Sequence, residues 1–501
     1  MDRAETRKIT AYWNILTRFM EYWDKKEYGK DAKFNADQLE AITPEELVSY
    51  FSFKVYGVTD PGPEDLPKKG RSSSILFWKK AISYYIPNKL EGWNNKARTG
   101  NPTKSLQVNE LIKRVKKREV RRQGVQSQAR RALTATEFES IIKILRSSNK
   151  DTHKFFAPAF HIFQYNMIAR LDDTAHLQLC NIKANHDHDF TLLAQMSWSK
   201  NVHEERDAPD QILFGAMDTR YCPILALAIH LEWWFATSTG STPTNPFVFG
   251  LGGEDPEKGP DRTKTTVYSI LKRFVFTNPS FQSILKQPIG THSFRKFPAT
   301  RARKKGASKD DVDARGRWKN KSRTSDVYMD ISLPYNDARV ASKLCTGGAC
   351  KYALKDGAGV TREWVVNNVT PLICQRMDQA IAFTLGLALL WAVYNDEACK
   401  FVPTYLEEKI KKEYTLSASP ELQAGYNPVE KVLLSIAGDE GELFIIPIQT
   451  DPSGAGTPGQ ACTTHTGNQN ETIDAVMHHV ASIYKEQSET RVEMEFFRKE
   501  V

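Results

Sequence analysis

Between Gly290 and Tyr328 the chain carries side chains suited to chemistry on a phosphate ester. His292 and Arg295 stand three apart, a spacing that puts both on one face of a helix. Gly316, Arg317 and Trp318 follow, and Tyr328 comes ten residues after the tryptophan. Arginine keeps its charge at physiological pH and offers a planar fork to phosphate oxygens. The imidazole and the indole N–H can both donate hydrogen bonds. A phenol is a nucleophile whose aryl phosphate ester conserves the energy of the bond it replaces, so resealing needs no ATP. The order is that of a cationic phosphate clamp followed by an attacking group.

The charge pattern around these residues points the same way. Net charge is +9 over 501 residues, and its distribution matters more than its size. From Lys113 to Arg131 nine Lys or Arg face one acid, Glu119, and from Arg301 to Arg323 ten face three. Such clusters neutralise phosphates and release counterions. Taken singly, a charge run also fits a solvated helix face.

Hydrophobic content of 40% and charged content of 26% describe a globular chain, and its length predicts two to four domains. Seven scattered cysteines form no CxxC pair, so no zinc or disulfide framework is readable and a reduced compartment is expected. Cys180 and Cys222 read as buried small hydrophobes. The N-terminal segment lacks the apolar core of a signal peptide. The longest apolar run, Ala380 to Val393, has fourteen residues, short for a membrane span and suited to a buried helix.

The elements that must position these groups follow from periodicity. Residues 1–112 read as a helical domain: apolar residues from Tyr12 to Trp23 recur at helical spacing, Thr43-Pro44-Glu45-Glu46 starts a helix, and Ser74–Ile86 forms another. The aromatics of this domain read as core. The segment from about 105 to 132 reads as a basic helix followed by a polar stretch, the end of the first domain plus, over residues 113–132, a basic interdomain linker. A second domain, 133–350, opens at a capping box, Thr134 to Glu137. It continues through a long helix, a segment carrying Arg170, strands at Phe190–Ser199 and Gln211–Phe214, and a helix from Pro223. The fold class is mainly α, with an α+β domain containing a small antiparallel sheet. Residues 351–450 read as a C-terminal accessory region, with helices over Trp364–Tyr394 and Pro403–Tyr414 and a hairpin over Lys431–Ile448. Residues 451–472 read as flexible loop and 473–501 as a C-terminal helix.

Several local strings together resemble the catalytic core of the tyrosine recombinases, and most closely the recombinases of crypton-type mobile elements. They are THSFRK at Thr291–Lys296, RGRWK at Arg315–Lys319, LPYNDARVASKLCTGG at Leu333–Gly348 and CPILALAIHLEWW from Cys222. The resemblance covers roughly residues 20–355. It implies a helical core-binding domain and a catalytic domain closing round duplex DNA, with the basic linker crossing it.

The resemblance also assigns roles. Tyr328 becomes the nucleophile, with Tyr335 as its rival. Arg170 and Arg295 become the phosphate clamp, with Asp173 as the carboxylate that orients Arg170. His292 bonds the scissile phosphate, and Trp318 stands where the family has His or Trp. The Trp318-to-Tyr328 interval is one residue longer than the commoner family interval. Lys200, in the turn after a strand, matches the general acid, with Lys183 as rival. DNA contacts are expected from Lys113, Arg114, Lys116, Lys117, Arg121, Arg122, Arg130, Arg131, Lys296, Arg301, Arg303, Arg317 and Lys319. The implied activity is DNA cutting and rejoining without metal or other cofactor, through a 3′-phosphotyrosyl link. The implied assembly is a homo-tetramer on paired double-stranded sites, in the nucleus and away from membranes.

Two rival classes are a recombinase-derived DNA-binding regulator and a monomeric nicking-resealing enzyme of topoisomerase type. Other motifs carry less. Gly250-Leu251-Gly252-Gly253 lacks the helix start of a dinucleotide site, and His186-Asp187-His188 reads as a polar turn.

Overall fold

The computed structural model describes residues 3–29, 32–127, 130–199, 202, 204, 207–237, 246–251, 256–318, 335–417, 426–437 and 444–447. The protein is mainly helical, with small antiparallel sheets. It divides into two compact units: Met1–Ser140 with Phe276–Phe297, and Ile141–Val275 with Pro298–Val501. The division places 276–297, expected within the second domain, in the first unit. Local contacts explain this. Leu133 N–H donates to Ser293 O at 3.4 Å, and the Phe138 and Phe297 rings lie 5.5 Å apart.

The first unit is built on the helices Arg3–Asp24, Pro44–Tyr56, Ser72–Tyr85 and Leu106–Val120. Thr43 starts the second as expected: its N–H donates to Glu46 Oε2 at 2.9 Å and its hydroxyl accepts from Glu46 N–H at 3.4 Å. Leu16, Phe19, Phe51, Val55, Ile82, Val108 and Val115 form the fully buried centre of the core. Each such side chain contributes about 2 kcal/mol relative to exposure. The aromatics of the first helix are core, with Tyr12 buried and Trp13 and Trp23 packed against it.

The helix Leu106–Val120 is the expected basic helix. Its apolar residues at 108, 111, 112 and 115 follow helical spacing and are buried, so the run from Lys113 to Val120 is packed helix. Glu119, the single acid in that basic run, has an internal task. It accepts from Ser72 N–H at 2.6 Å and from Arg71 at 3.1 Å, and so caps the helix Ser72–Tyr85.

The second unit holds two antiparallel sheets. Strands β1 (Ile182–Ala184), β2 (Leu192–Gln195) and β3 (Asp210–Leu213) form one, in that order. Strands β4 (Gly215–Ala216), β5 (Ala349–Leu354), β6 (Val429–Ala437) and β7 (Phe444–Pro447) form the other. The β6–β7 pairing, Leu434 opposite Pro447, is the expected hairpin. Strand β5 was not legible from sequence. It pairs with β4 on one side and β6 on the other, so residues 351–450 share a sheet with the preceding region. The helix Gln379–Val393 is apolar all round and packs on the helix Pro223–Thr237, equally apolar. Such helices need cover on every side, which ties the accessory region into this unit. At Gly386 an added Cβ would lie 2.7 Å from Val365 Cγ1, so glycine permits the close approach of a neighbouring helix.

The expected loop 451–472 and helix 473–501 lie outside the described residues. No helix among the described residues is long and apolar enough to cross a membrane. The described cysteines are free thiols. Cys222 is buried as expected; Cys180 is exposed, contrary to expectation, its Sγ 3.5 Å from Gln178 Oε1.

Candidate active site

Arg170 lies beyond the C-terminus of the buried helix Ala157–Asn166. Between them Ile168 adopts φ +46, a left-handed conformation that costs energy for a β-branched residue and turns the chain sharply. Arg170 then takes extended backbone and opens the short helix Leu171–Ala175. Its N–H donates to Asp173 Oδ2 at 3.2 Å. Its guanidinium Nη1 lies 3.8 Å from Asp173 Oδ1 and donates to Ser199 Oγ at 3.3 Å. Asp173 is buried while the Arg170 side chain keeps 24% of its surface. The result is a guanidinium held from behind and open in front.

The Arg315–Trp318 segment is bonded to the same helix end. Ser308 caps the helix Lys309–Arg315, accepting from Asp311 N–H at 3.0 Å. Arg315 is 1% exposed; its Nε donates to Asn166 O at 2.8 Å, its Nη2 to Ile212 O at 3.1 Å, and its Nη1 to Asp337 Oδ2. Arg317 sits at φ +54 and is 6% exposed. Its Nη1 donates to Gln211 Oε1 at 2.6 Å and its Nη2 to Met167 O at 3.2 Å. The last carbonyls of a helix lack intrahelical donors, and two guanidinium groups satisfy them here.

This corrects the expectation for Arg317. It is buried against internal acceptors and is not on the exposed surface. Burial lowers its pKa to about 10, with Asp173 acting in the opposite direction, so it stays charged at neutral pH. Gly316 explains its own place in the motif: a Cβ there would lie 2.2 Å from Trp318 Cζ3, so the indole rests on the glycine. Trp318 itself is half-buried.

His292 and Arg295 occupy the first turn of the helix Thr291–Lys304. Both belong to the first unit, whereas Arg170 and Trp318 belong to the second. Ser293 fastens the helix start, its hydroxyl accepting from Gly290 N–H at 3.0 Å. His292 is exposed and Arg295 is 4% exposed. Pro298, inside the helix, cannot donate the usual bond to Phe294.

The expected DNA contacts separate into two groups. Lys113, Arg114, Lys116, Lys117, Arg121, Arg122, Arg130, Lys296 and Arg303 are exposed. Lys296 Nζ also donates to Arg130 O at 2.5 Å, and Arg303 to Ala307 O at 2.5 Å. The second group is held by internal partners. Arg131 pairs with the buried Glu137, its Nη1 2.7 Å from Oε2. Arg301 donates to Tyr221 OH at 3.2 Å and to Thr346 Oγ1 at 2.8 Å, and stacks on the Tyr221 ring. Arg131 keeps 24% of its side-chain surface, as Arg170 does, and Arg301 is half-buried.

Lys200, Lys319 and Tyr328 lie outside the described residues. Lys183, the rival acid, is in an ion pair with Asp210 at 2.9 Å. Tyr335, the rival nucleophile, begins the helix Tyr335–Leu344. Sequence reasoning missed Arg315, Asp337 and Ser199. Arg315 was one charge within a basic run, and Asp337 resembles any acid in the first turn of a helix.

No protein-family model matches the chain. No curated protein matches it either.

Proposed function

We propose that the protein is a DNA strand transferase of the tyrosine recombinase kind, serving integration and excision of a crypton-type mobile element. The observation that carries this reading is the union of two distant segments. Arg317 donates to Met167 O at 3.2 Å, which brings the Gly-Arg-Trp turn against the strained bend that delivers Arg170. A half-open guanidinium with a buried carboxylate behind it is suited to the non-bridging oxygens of a phosphodiester. Further support comes from the exposed basic face of the helix Leu106–Val120 and from the exposed His292.

In the proposed reaction the Tyr328 phenol gives its proton to solvent as its oxygen attacks phosphorus, forming a 3′-phosphotyrosyl bond as the bond to the 5′ oxygen breaks. Lys200 gives that oxygen its proton. A second strand's 5′ hydroxyl then attacks the phosphotyrosyl bond and frees the phenol. Arg170 and Arg295 neutralise charge developing on the phosphate, and His292 and Trp318 donate hydrogen bonds to it. Double-stranded DNA is the partner, a homo-tetramer on paired sites the assembly, and the nucleus the compartment.

Covalent trapping tests this. Wild type and Tyr328→Phe are incubated with labelled duplex from the ends of the parent element, denatured and run on a gel. An adduct in wild type alone supports the reading, and an adduct in both moves the nucleophile to another residue such as Tyr335. Salt-sensitive binding with no adduct on any end sequence favours a DNA-binding regulator.

A further inference from the structure

The chain leaving β2 is fastened to the Arg170 segment at three successive residues. Asn181 Nδ2 donates to Ser197 Oγ at 3.3 Å. The Trp198 indole lies flat on the His176 imidazole, centroids 3.4 Å apart and planes within 6°. Ser199 Oγ accepts from Arg170 Nη1 at 3.3 Å. His176 is oriented in turn, its Nδ1 donating to Asp172 O at 2.8 Å, and Lys264 holds the Asp172 carboxylate at 2.5 Å.

Packing alone does not account for this arrangement. Trp198 keeps 47% of its surface, and the imidazole lies flat on one face of the indole. Ser199, directly after it, is nearly buried, with its hydroxyl on the guanidinium. Asp173 supplies charge at 3.8 Å but no hydrogen bond to the fork at that distance. Among the described contacts, the Ser199 hydroxyl is therefore what sets the roll of the guanidinium plane.

We propose that Trp198, His176 and Ser199 are positioning residues that hold the Arg170 fork in register with the non-bridging oxygens of the transferred phosphate. This rests on the strand-transferase reading. The ring stack fixes the backbone of residue 198, which fixes the hydroxyl of 199, which fixes the fork. A planar donor depends on such restraint because its two parallel bonds are lost together when the plane rotates.

The test uses the full chain and element-end duplexes carrying either the natural phosphodiester or a methylphosphonate at the scissile position. The bonds made and broken are the same in both. The methylphosphonate has lost the charge that Arg170 neutralises, so it relieves any defect that acts through that arginine. Trp198→Ala and Ser199→Ala are expected to slow adduct formation on the natural duplex about ten- to a hundredfold at unchanged duplex affinity. On the methylphosphonate both should approach wild type, as should Arg170→Ala. Trp198→Phe and His176→Phe, which keep stacked rings, should retain most of the activity.

Should Trp198→Ala fail to fold, Ser199→Ala and Trp198→Phe decide the matter. Variants as fast as wild type on the natural duplex would overturn the proposal. So would variants equally slow on both duplexes while Arg170→Ala is relieved. An inactive wild type on both duplexes overturns the strand-transferase reading itself, and this role with it.

Discussion

Arg315 and Asp337 form an ion pair inside the second unit, the guanidinium 1% and the carboxylate side chain 13% exposed. The pair joins the end of the helix Lys309–Arg315 to the start of the helix Tyr335–Leu344. Asp337 also accepts from Ile212 N–H at 2.8 Å, which anchors the junction to β3. In sequence, Tyr328 lies between these two residues. Removing one partner leaves a buried charge uncompensated. Asp337→Asn should therefore destabilise the protein by about 3 kcal/mol in urea unfolding, and adding Arg315→Met should not restore it, because the Asn166 and Ile212 carbonyls then lose their donor. A loss below about 1 kcal/mol in the single variant would show that the latch does not matter to stability.

Gly316→Ala tests the seat of the tryptophan. The added methyl would lie 2.2 Å from the Trp318 ring, and an indole cannot yield that distance without leaving its place. Expected are a shift in tryptophan emission and a loss of adduct formation of at least about tenfold, with Tm lowered by only a few degrees. Unchanged emission would mean the ring is not seated on Gly316.

On the proposed function, the basic helix predicts how binding to duplex DNA would depend on salt. Lys113, Arg114, Lys116 and Lys117 project from a helix whose other face is buried. Each phosphate contact contributes about 0.9 to the slope of log affinity against log salt. Lys113→Ala with Lys117→Ala should lower that slope by roughly 2 in fluorescence anisotropy on duplex DNA, with little change in Tm. Arg317→Ala should act oppositely, lowering stability through its buried partners. A slope unaltered by the lysine changes would remove this face from the interface.

Glu232 predicts a pH dependence of stability. Burial raises its carboxyl to about 7, although it accepts from Leu372 and Ile373 N–H groups at 3.3 and 3.1 Å. In the unfolded chain a glutamate titrates near about 4.3. Between about 4.3 and 7 the folded protein retains a proton that the unfolded chain has lost, so stability falls as pH rises through that window. The fall attributable to Glu232 is about 2 to 3 kcal/mol and should be absent in Glu232→Gln when urea unfolding is compared at pH 5 and pH 7.5. Parallel profiles for the two proteins would refute it.

Local rules made much of the architecture legible. Thr43 and Thr134 cap their helices because a hydroxyl and a glutamate three residues on satisfy each other's backbone. The helices Pro223–Thr237 and Gln379–Val393 were legible because an apolar surface on every side leaves no alternative to burial. Strand β5 was not legible, since its six residues gain their partners from 215–216 and 429–433, far away in sequence. Glu119 read as a stray acid in a basic run because its partner, the N-terminus of the helix Ser72–Tyr85, lies 47 residues earlier.

What the sequence by itself determined was the inventory and its local geometry. It placed cations in two runs, a histidine and an arginine on one helical turn, and aromatics on the inner face of the first helix. The tertiary structure decided which cations remain available. Arg317 and Arg315 donate to carbonyls about 150 residues away in the chain, and Arg301 is held by Tyr221 and Thr346. Lys113, Arg114, Lys116 and Lys117 face outward, while the apolar residues between them face the core. The physical reason is that the side chains carry the same charge everywhere. A guanidinium is committed only where the fold brings unsatisfied carbonyls against it, and no local pattern records that meeting.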